Sequence, residues 1–410
     1  MIITANSYIV VAKQKNTIME QLPLYGEIKS FFPYHRKELV KTFLLFLQCV
    51  LRTGTVSVYK NRSEAGAATG KRNLVKETVY KTFLRFFSMK CKDAFCICII
   101  YLIINTLQLG NCVYLVMDRT NWKIGKININ ILYLGLLLPN GSFIPILFDP
   151  LDKRGNSNTA ERKDILGRFC DIWQQNGLEK GVFLADREFI GVTWFKAILQ
   201  ADFSLVIRLR CTDYFNDLCT QRNREVEKMH QIIDATVKRY GYFRSKIILE
   251  EQELYYIVLP INVKKQRKSD EKHLILISDN PNVLQISEQY RLRWKIEVFF
   301  FNIKSNGFNV EDINFKDLEK VQLMLAILAF LYVLIQKEHL INAKNIKEKK
   351  FKFGSTKAIS IFRNSYDDFK LKILNIRHLV RFILKNLSNL IPLNNKAFSN
   401  CPFLNLKSVQ

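Results

Sequence analysis

The sequence predicts a mixed α/β protein, with a central sheet of short strands and helical stretches before and after it in the chain. Three observations lead there. Residues 113–209 alternate short apolar runs, rich in β-branched and aromatic residues, with longer amphipathic runs, as in an α/β core. Residues 210–284 carry three more strand-like runs, YGYFRSKIILE, ELYYIVLPINV and KHLILIS, separated by polar turns. Outside these limits, apolar residues recur at helical spacing or fill helix-length runs.

Residues 1–105 read as mostly helical, with amphipathic candidates at 39–51 and 74–89. The stretch between them, TGTVSVYKNRSEAGAATGKRN, is basic and rich in small residues and reads as a polar turn. Two helices with clustered Lys and Arg suit nucleic-acid ends, or else cap the core.

The core begins with the run 113–117, closed by Asp118. Runs 129–138 and 143–148 follow, with Pro139-Asn140-Gly141 between them as a tight hairpin turn. A helix is expected over 159–175. The run GVFLAD is a further strand ending at Asp186. Arg187, Glu188, Phe189 and Gly191 lead into an amphipathic helix to residue 200, and a strand is expected at 203–209. An aspartate where a buried strand meets its loop can present a metal ligand at a sheet edge. A solvated loop or a helix cap also places Asp there.

The segment 290–304, YRLRWKIEVFFFNIK, is the most distinctive. Tyr290, Arg293, Glu297 and Lys304 follow one another at spacings of three, four and seven. On one continuous helix they fall within roughly 60° of each other, in a polar stripe about 21 Å long. Trp294, Ile296, Val298, Phe299, Phe300 and Phe301 are expected to hold that helix against a core. A carboxylate can hold a metal ion, and two cations and a phenol can hold phosphates. That equipment suits cutting or joining a nucleic-acid backbone. Arg293 and Glu297 alone also have the spacing of an ordinary surface ion pair.

Tyr-x2-Arg-x3-Glu-x6-Lys resembles, at every position, the signature of the insertion sequence four family of DDE transposases. DRTNW at Asp118, ADREF at Asp186 and the intervening IPILFDPLDKRGNSNTAER resemble blocks of that family, in its order. The resemblance is good over 114–304 and poor at both ends. It implies an α/β fold with a ribonuclease H-like catalytic core. The first aspartate would lie on the first strand, the second on the fourth, and the glutamate on a later helix.

The same resemblance divides the chain. Residues 1–110 would be a helical region binding DNA ends, 111–210 the first part of the core, and 211–284 a β-rich insertion. An ordinary extension of the sheet is the other reading of 211–284. Residues 285–340 would close the core, and 341–410 would be a basic helical region contributing to dimerisation. Within 341–410, Lys344, Lys347, Lys349, Lys350 and Lys352 form a run with Phe351 and Phe353 interleaved, either tracking a phosphate backbone or forming a solvated linker.

Asp118, Asp186 and Glu297 are implied as catalytic residues and as ligands of two Mg²⁺ ions, with Mn²⁺ able to substitute. Tyr290, Arg293 and Lys304 are implied as DNA phosphate contacts. Trp294 and Trp122 are candidates for stacking on an unpaired base, or pack in the core. Arg187 either supports Asp186 or a phosphate, or pairs with Glu188. The implied activity is metal-dependent DNA cleavage and strand transfer at the ends of an insertion sequence. Its partners would be double-stranded DNA, as terminal inverted repeats and target, and a second copy of the chain in the DNA complex. Two other readings remain: a ribonuclease H-like nuclease without strand transfer, and a DNA-binding remnant that no longer catalyses.

Composition agrees with a polyanionic partner. Lys and Arg number 62 against 37 acidic residues, a net charge of +25. The nine cysteines show no paired zinc spacing, even where Cys91, Cys96 and Cys98 cluster, so free thiols in a reducing compartment are expected. No Gly-rich phosphate loop points to ATP hydrolysis. The chain shows no signal peptide, and its Lys- and Asn-rich wording suits an AT-rich bacterial genome, so a cytoplasmic protein on nucleoid DNA is expected. The apolar runs 94–107 and 321–335 fall short of the roughly 20 residues a bilayer span needs. They are expected as buried helices, the second packing on the catalytic sheet.

Overall fold

The computed structural model describes residues 25–71, 73–107, 114–124, 127–138, 141–173, 181–261, 272–341, 348–351, 354–357 and 360–387. The chain divides into two compact units. One, helical, takes in residues 1–109, 123–127 and 301–410; the other, built on a sheet, takes in 110–122 and 128–300.

The helical unit opens with α1 (Tyr25–Ser30), α2 (Lys37–Thr53), α3 (Val58–Asn61), α4 (Ala65–Thr69), α5 (Lys76–Phe87) and α6 (Lys92–Leu107). Helices α2 and α5 are the two amphipathic runs read from the sequence. Gly54 stops α2 in the left-handed region, φ +69°, with its N–H bonded to Val50 O. The basic stretch expected as a turn folds into α3 and α4. The Ser57 hydroxyl caps α3, Asn61 Nδ2 donates to Thr55 O at 2.7 Å, and the Ala-rich AGAAT has high helix propensity.

The sheet unit, with the end of β1, the first residue of β2 and the part of α12 after Phe300 counted in the helical unit, runs β1 (Tyr114–Ile124), β2 (Ile127–Leu137), β3 (Phe143–Pro150), α7 (Thr159–Trp173), β4 (Val182–Ala185), α8 (Val192–Gln200), β5 (Ser204–Leu209), α9 (Phe215–Gln221), α10 (Val226–Tyr240), β6 (Phe243–Leu249), β7 (Gln252–Pro260), β8 (His273–Ser278), α11 (Val283–Leu292) and α12 (Lys295–Lys304). Its strands form one sheet in the order β3-β2-β1-β4-β5-β8-β7-β6. Strands β1, β4 and β5 are mutually parallel, and β3 pairs antiparallel with β2. As expected, the fold is mixed α/β, with Asp118 on the first strand and Asp186 directly after the fourth. Phe183, Leu184 and Ala185 of β4 are fully buried, which suits the unbroken apolar wording of a central parallel strand. Of the expected hairpin turn, Pro139 and Asn140 lie outside the described residues; Gly141 bonds back to Leu138 O at 2.8 Å with φ +77°.

Strands β6, β7 and β8 join the core sheet itself, β8 pairing antiparallel with β5 and β7 with both β8 and β6. Residues 211–284 thus extend the core sheet, the alternative reading of this stretch, and also contain α9 and α10. The open edge of β5 supplies the reason, since unpaired backbone groups there need partners.

The register of β2 against β3 shifts at Gly135. A Cβ on Gly135 would lie 2.2 Å from Ile144 O and 2.5 Å from the Phe143 ring. Gly135→Ala is therefore expected to lose about 1–3 kcal/mol of stability by overpacking, read as a lowered midpoint in denaturant unfolding. An unchanged midpoint would show that the bulge can relax.

The chain returns to the helical unit with α13 (Leu318–Ile341), a two-stranded antiparallel sheet of β9 (Glu348–Phe351) and β10 (Gly354–Lys357), α14 (Ile361–Lys372) and α15 (Ile376–Asn386). Helix α13 is 24 residues, longer than its apolar run, because the polar residues flanking the run are also good helix formers. It is long and apolar enough to cross a membrane, but 78% of its apolar window is buried inside the protein. Within the helical unit its main neighbours are α6, α14 and α2. An all-round apolar helix needs neighbours on every side, and the helical unit supplies them.

The terminal regions, read separately from sequence, cluster in this one unit. Tyr366 Oη donates to Leu51 O and Gln48 Nε2 to Ile373 O, both at 2.8 Å and both buried. The basic run after α13, expected to be helical, contains Lys349, Lys350 and Phe351 on β9; Lys344, Lys347, Lys352 and Phe353 lie outside the described residues. The described cysteines are free thiols, with Cys49, Cys96, Cys98 and Cys219 buried.

Candidate active site

Strand register brings the two aspartates together. The parallel pairing of β1 with β4 runs from Tyr114↔Val182 to Met117↔Ala185. Asp118, within β1, and Asp186, directly after the end of β4, each follow the last matched pair, so they start from neighbouring strands about 4.8 Å apart. Strand β1 itself continues to Ile124; Asp118, expected at the strand's end, marks only the end of its pairing with β4. Each carboxylate accepts the backbone N–H of the following residue, Arg119 to Asp118 Oδ1 at 2.7 Å and Arg187 to Asp186 Oδ1 at 2.8 Å.

The segment 290–304 is not the single helix expected. Helix α11 ends at Leu292, and α12 begins at Lys295. At the break, Arg293 N bonds Tyr290 O and Ile296 N bonds Arg293 O, a tighter turn than the α-helical ladder. The break turns Trp294 outward, 59% exposed, with Val298 and Phe301 exposed on the same helix. These three do not hold the helix to a core; Ile296 and Phe299 do, with Phe299 against Tyr133 and Phe143.

The tight turn leaves the polar residues facing the strand ends. Arg293, buried to 7% exposure, donates from Nη1 to Asp118 Oδ2 at 3.2 Å and from Nη2 to Glu297 Oε1 at 2.6 Å. Tyr290 Oη donates to Asp186 Oδ1 at 3.3 Å, and Arg208 Nη1 of β5 lies 3.9 Å from the same oxygen. The Arg293 guanidinium also lies 5.7 Å from the centre of the Tyr290 ring, so Asp118, Asp186, Glu297, Tyr290 and Arg293 form one cluster. Lys304, in the helical unit, pairs with Glu311 at 3.6 Å.

Burial pushes the Asp118 carboxyl up to about 7, against the Arg293 guanidinium and the Arg119 amide, which pull it down. Burial also raises the Tyr290 phenol. Burial alone would lower the Arg293 guanidinium, but Tyr290, Asp186, Asp118 and Glu297 more than offset it and hold the charge on. Among the described residues, no three His, Cys, Asp or Glu side chains are gathered closely enough to form a metal cage as they stand. Between Asp118 and Glu297 the Arg293 guanidinium bonds both carboxylates. The donor set fits a hard cation, since all three groups are carboxylates.

Several site residues escaped the sequence reading. Arg119 pairs with Glu188 through two prongs and also reaches Asn130 and Asn156. Glu188, one of the two alternatives weighed for Arg187, is thus held by Arg119 through both carboxylate oxygens. Arg162 of α7, 5% exposed, donates to Glu188 O, Ile190 O and Ser157. The signal was present in DRTNW, ADREF and NTAER: charges this close to buried strands require partners. Trp122, a candidate for base stacking or for core packing, is buried at 6% exposure. Residues two apart on a strand share a face, and burial on the Thr120 face, which Trp122 shares, pulls it inward.

No curated protein matches the sequence. Among solved structures, the chain is similar to one titled "Cryo-EM structure of piggyBac transposase synaptic complex with hairpin DNA (SNHP)", with 11% identity and a TM-score of 0.44, over 90% of this chain and 81% of that one. Within the chain, residues 150–334 match the family model described as Transposase DDE domain. That match takes in Asp186, Tyr290, Arg293, Glu297 and Lys304, begins beyond Asp118, and supports reading the protein as a DDE transposase.

Proposed function

We propose that this protein is a transposase of the insertion sequence four kind, which binds the terminal inverted repeats of its element and catalyses DNA cleavage and strand transfer. The observation that carries this reading is the placing of Asp118 and Asp186 at matched positions on neighbouring parallel strands, with Glu297 joined to Asp118 through Arg293. Asp118, Asp186 and Glu297 would hold two Mg²⁺ ions, or Mn²⁺ in their place. Bound there, the metal would activate water or a 3′-hydroxyl and stabilise the leaving oxygen at the scissile phosphate. Hydrolysis breaks one P–O bond and frees a 3′-hydroxyl. That hydroxyl then attacks a phosphodiester of the opposite strand or the target, exchanging one P–O bond for another.

Arg293 would turn its two-pronged guanidinium to a phosphate, Tyr290 its hydroxyl, and Lys304 a point charge. The exposed Trp294 would stack on an unpaired base. The N-terminal helices would bind the element ends, and the C-terminal region would contribute to a homodimer on the DNA. The protein would act on nucleoid DNA in a bacterial cytoplasm. The net charge of +25 supports a DNA partner.

The test is cleavage of a labelled duplex carrying the flanking element's own terminal repeat, with Mg²⁺ and with EDTA. Nicking at the element boundary that needs the metal, followed by joining of the freed end, is expected. Unspecific nicking would shift the reading to a plain nuclease, and specific binding without nicking to a DNA-binding remnant. Lys304→Ala is expected to weaken binding of the same duplex and to reduce the slope of log affinity against log salt by about 1. An unchanged slope would remove Lys304 from the phosphate contacts.

A further inference from the structure

Arg119 and Glu188 stand one and two residues after Asp118 and Asp186. Their side chains meet through two parallel bonds, Nε to Oε1 at 3.1 Å and Nη2 to Oε2 at 3.2 Å, with side-chain exposures of 13% and 19%. We propose that Arg119 and Glu188 are positioning residues, a cross-strand clamp that sets the separation of Asp118 and Asp186 and so tunes their affinity for a divalent cation. The inference rests on the metal-ligand reading given above.

Three features carry it. The clamp is anchored on all sides: Arg119 Nη1 donates to Asn130 Oδ1 of β2 at 2.9 Å, and Nη2 to Asn156 Oδ1 at 3.2 Å. Asn130 Nδ2 in turn donates to Lys153 O and Gly155 O. On the other side, Arg162 Nη2 donates to Glu188 O at 2.8 Å and Nη1 to Ile190 O at 3.2 Å. Neither partner can swing without breaking several partly buried bonds.

The clamp is also locally neutral. Both Glu188 oxygens accept from Arg119, so Glu188 is held back from acting as a competing ligand. The Arg119 charge is matched, so it does not repel a cation between the aspartates. Finally, the planar guanidinium spans both oxygens at once, which a lysine ammonium cannot do. A support that only stabilised the fold would leave the cation affinity of the folded protein unchanged; a positioning clamp moves it.

The experiment is Mn²⁺ titration of the full-length protein followed by electron paramagnetic resonance, with thermal unfolding run on each variant. Arg119→Ala and Glu188→Ala are each expected to weaken Mn²⁺ binding on the order of tenfold, the usual effect of removing an outer partner of a metal ligand. Arg119→Lys and Glu188→Gln are expected to weaken it less, and they give the reading if the alanine variants do not fold. Folded variants with the parent's Mn²⁺ affinity, in a protein whose binding Asp118→Asn and Asp186→Asn abolish, would overturn the clamp alone. Mn²⁺ binding that those two asparagine variants leave untouched, or none in the parent, would overturn the metal-ligand reading and the clamp together.

Discussion

Glu297→Gln is expected to lower cleavage on the order of 10³-fold or more while leaving binding of a terminal-repeat duplex close to that of the parent. Several kcal/mol of transition-state stabilisation depend on a correctly held cation, and each 1.36 kcal/mol is tenfold in rate. Glutamine keeps the shape and a carbonyl oxygen that can accept from Arg293, which now bonds Glu297 at 2.6 Å. It removes the negative charge a hard cation needs. Three measurements belong together: cleavage of the labelled duplex, its affinity by fluorescence anisotropy, and the thermal midpoint. Retained cleavage would take Glu297 out of the ligand set. Lost binding with an intact fold would assign it to DNA recognition instead.

Arg293→Ala is expected to destabilise the protein by about 3–5 kcal/mol, the cost of breaking a buried pair and leaving its partners uncompensated. A fall of roughly 10 °C in Tm would follow for a unit of this size. Arg293 is 7% exposed and bonds Asp118 and Glu297 simultaneously. Arg293→Lys keeps the charge but not the two-pronged geometry, so it should recover only part of the loss. Added Mg²⁺ should raise the Tm of Arg293→Ala more than that of the parent. The removed guanidinium leaves its carboxylates without a cation, and a ligand bound only by the folded state stabilises it by mass action. A Tm unchanged by Arg293→Ala would mean that the carboxylates find other partners.

Most strands of the core were legible because buried strands read as short apolar runs bounded by turn residues, as GVFLAD and 143–148 do. The polar stripe of 290–304 was legible as a spacing, but its shape was not. Periodicity assumes an unbroken 3.6-residue turn, and the tightening at Arg293 and Trp294 cancels that assumption locally. Trp294 and Trp122 carried the same two alternatives in the sequence and differ in the structure, one exposed and one buried, since side-chain type gives apolarity and not the direction a turn or strand face points it. The β9–β10 pair was expected as helix because the lysines there drew attention as charge.

By itself the sequence determined the chemistry on offer: strand-borne aspartates, a later glutamate with its arginine and tyrosine, and an excess of positive charge. These are local properties, set by residue type and spacing along the chain. Only the tertiary structure decided that Asp118 and Asp186 occupy matched places on adjacent strands, and that Arg293 rather than a ready cage joins Asp118 to Glu297. It also decided that Glu188 belongs to Arg119, and that the two helical ends of the chain make one unit. Those facts depend on strand pairing and on the partners that buried charges find across 69 to 175 residues of chain. Spacing between near neighbours in sequence does not encode either.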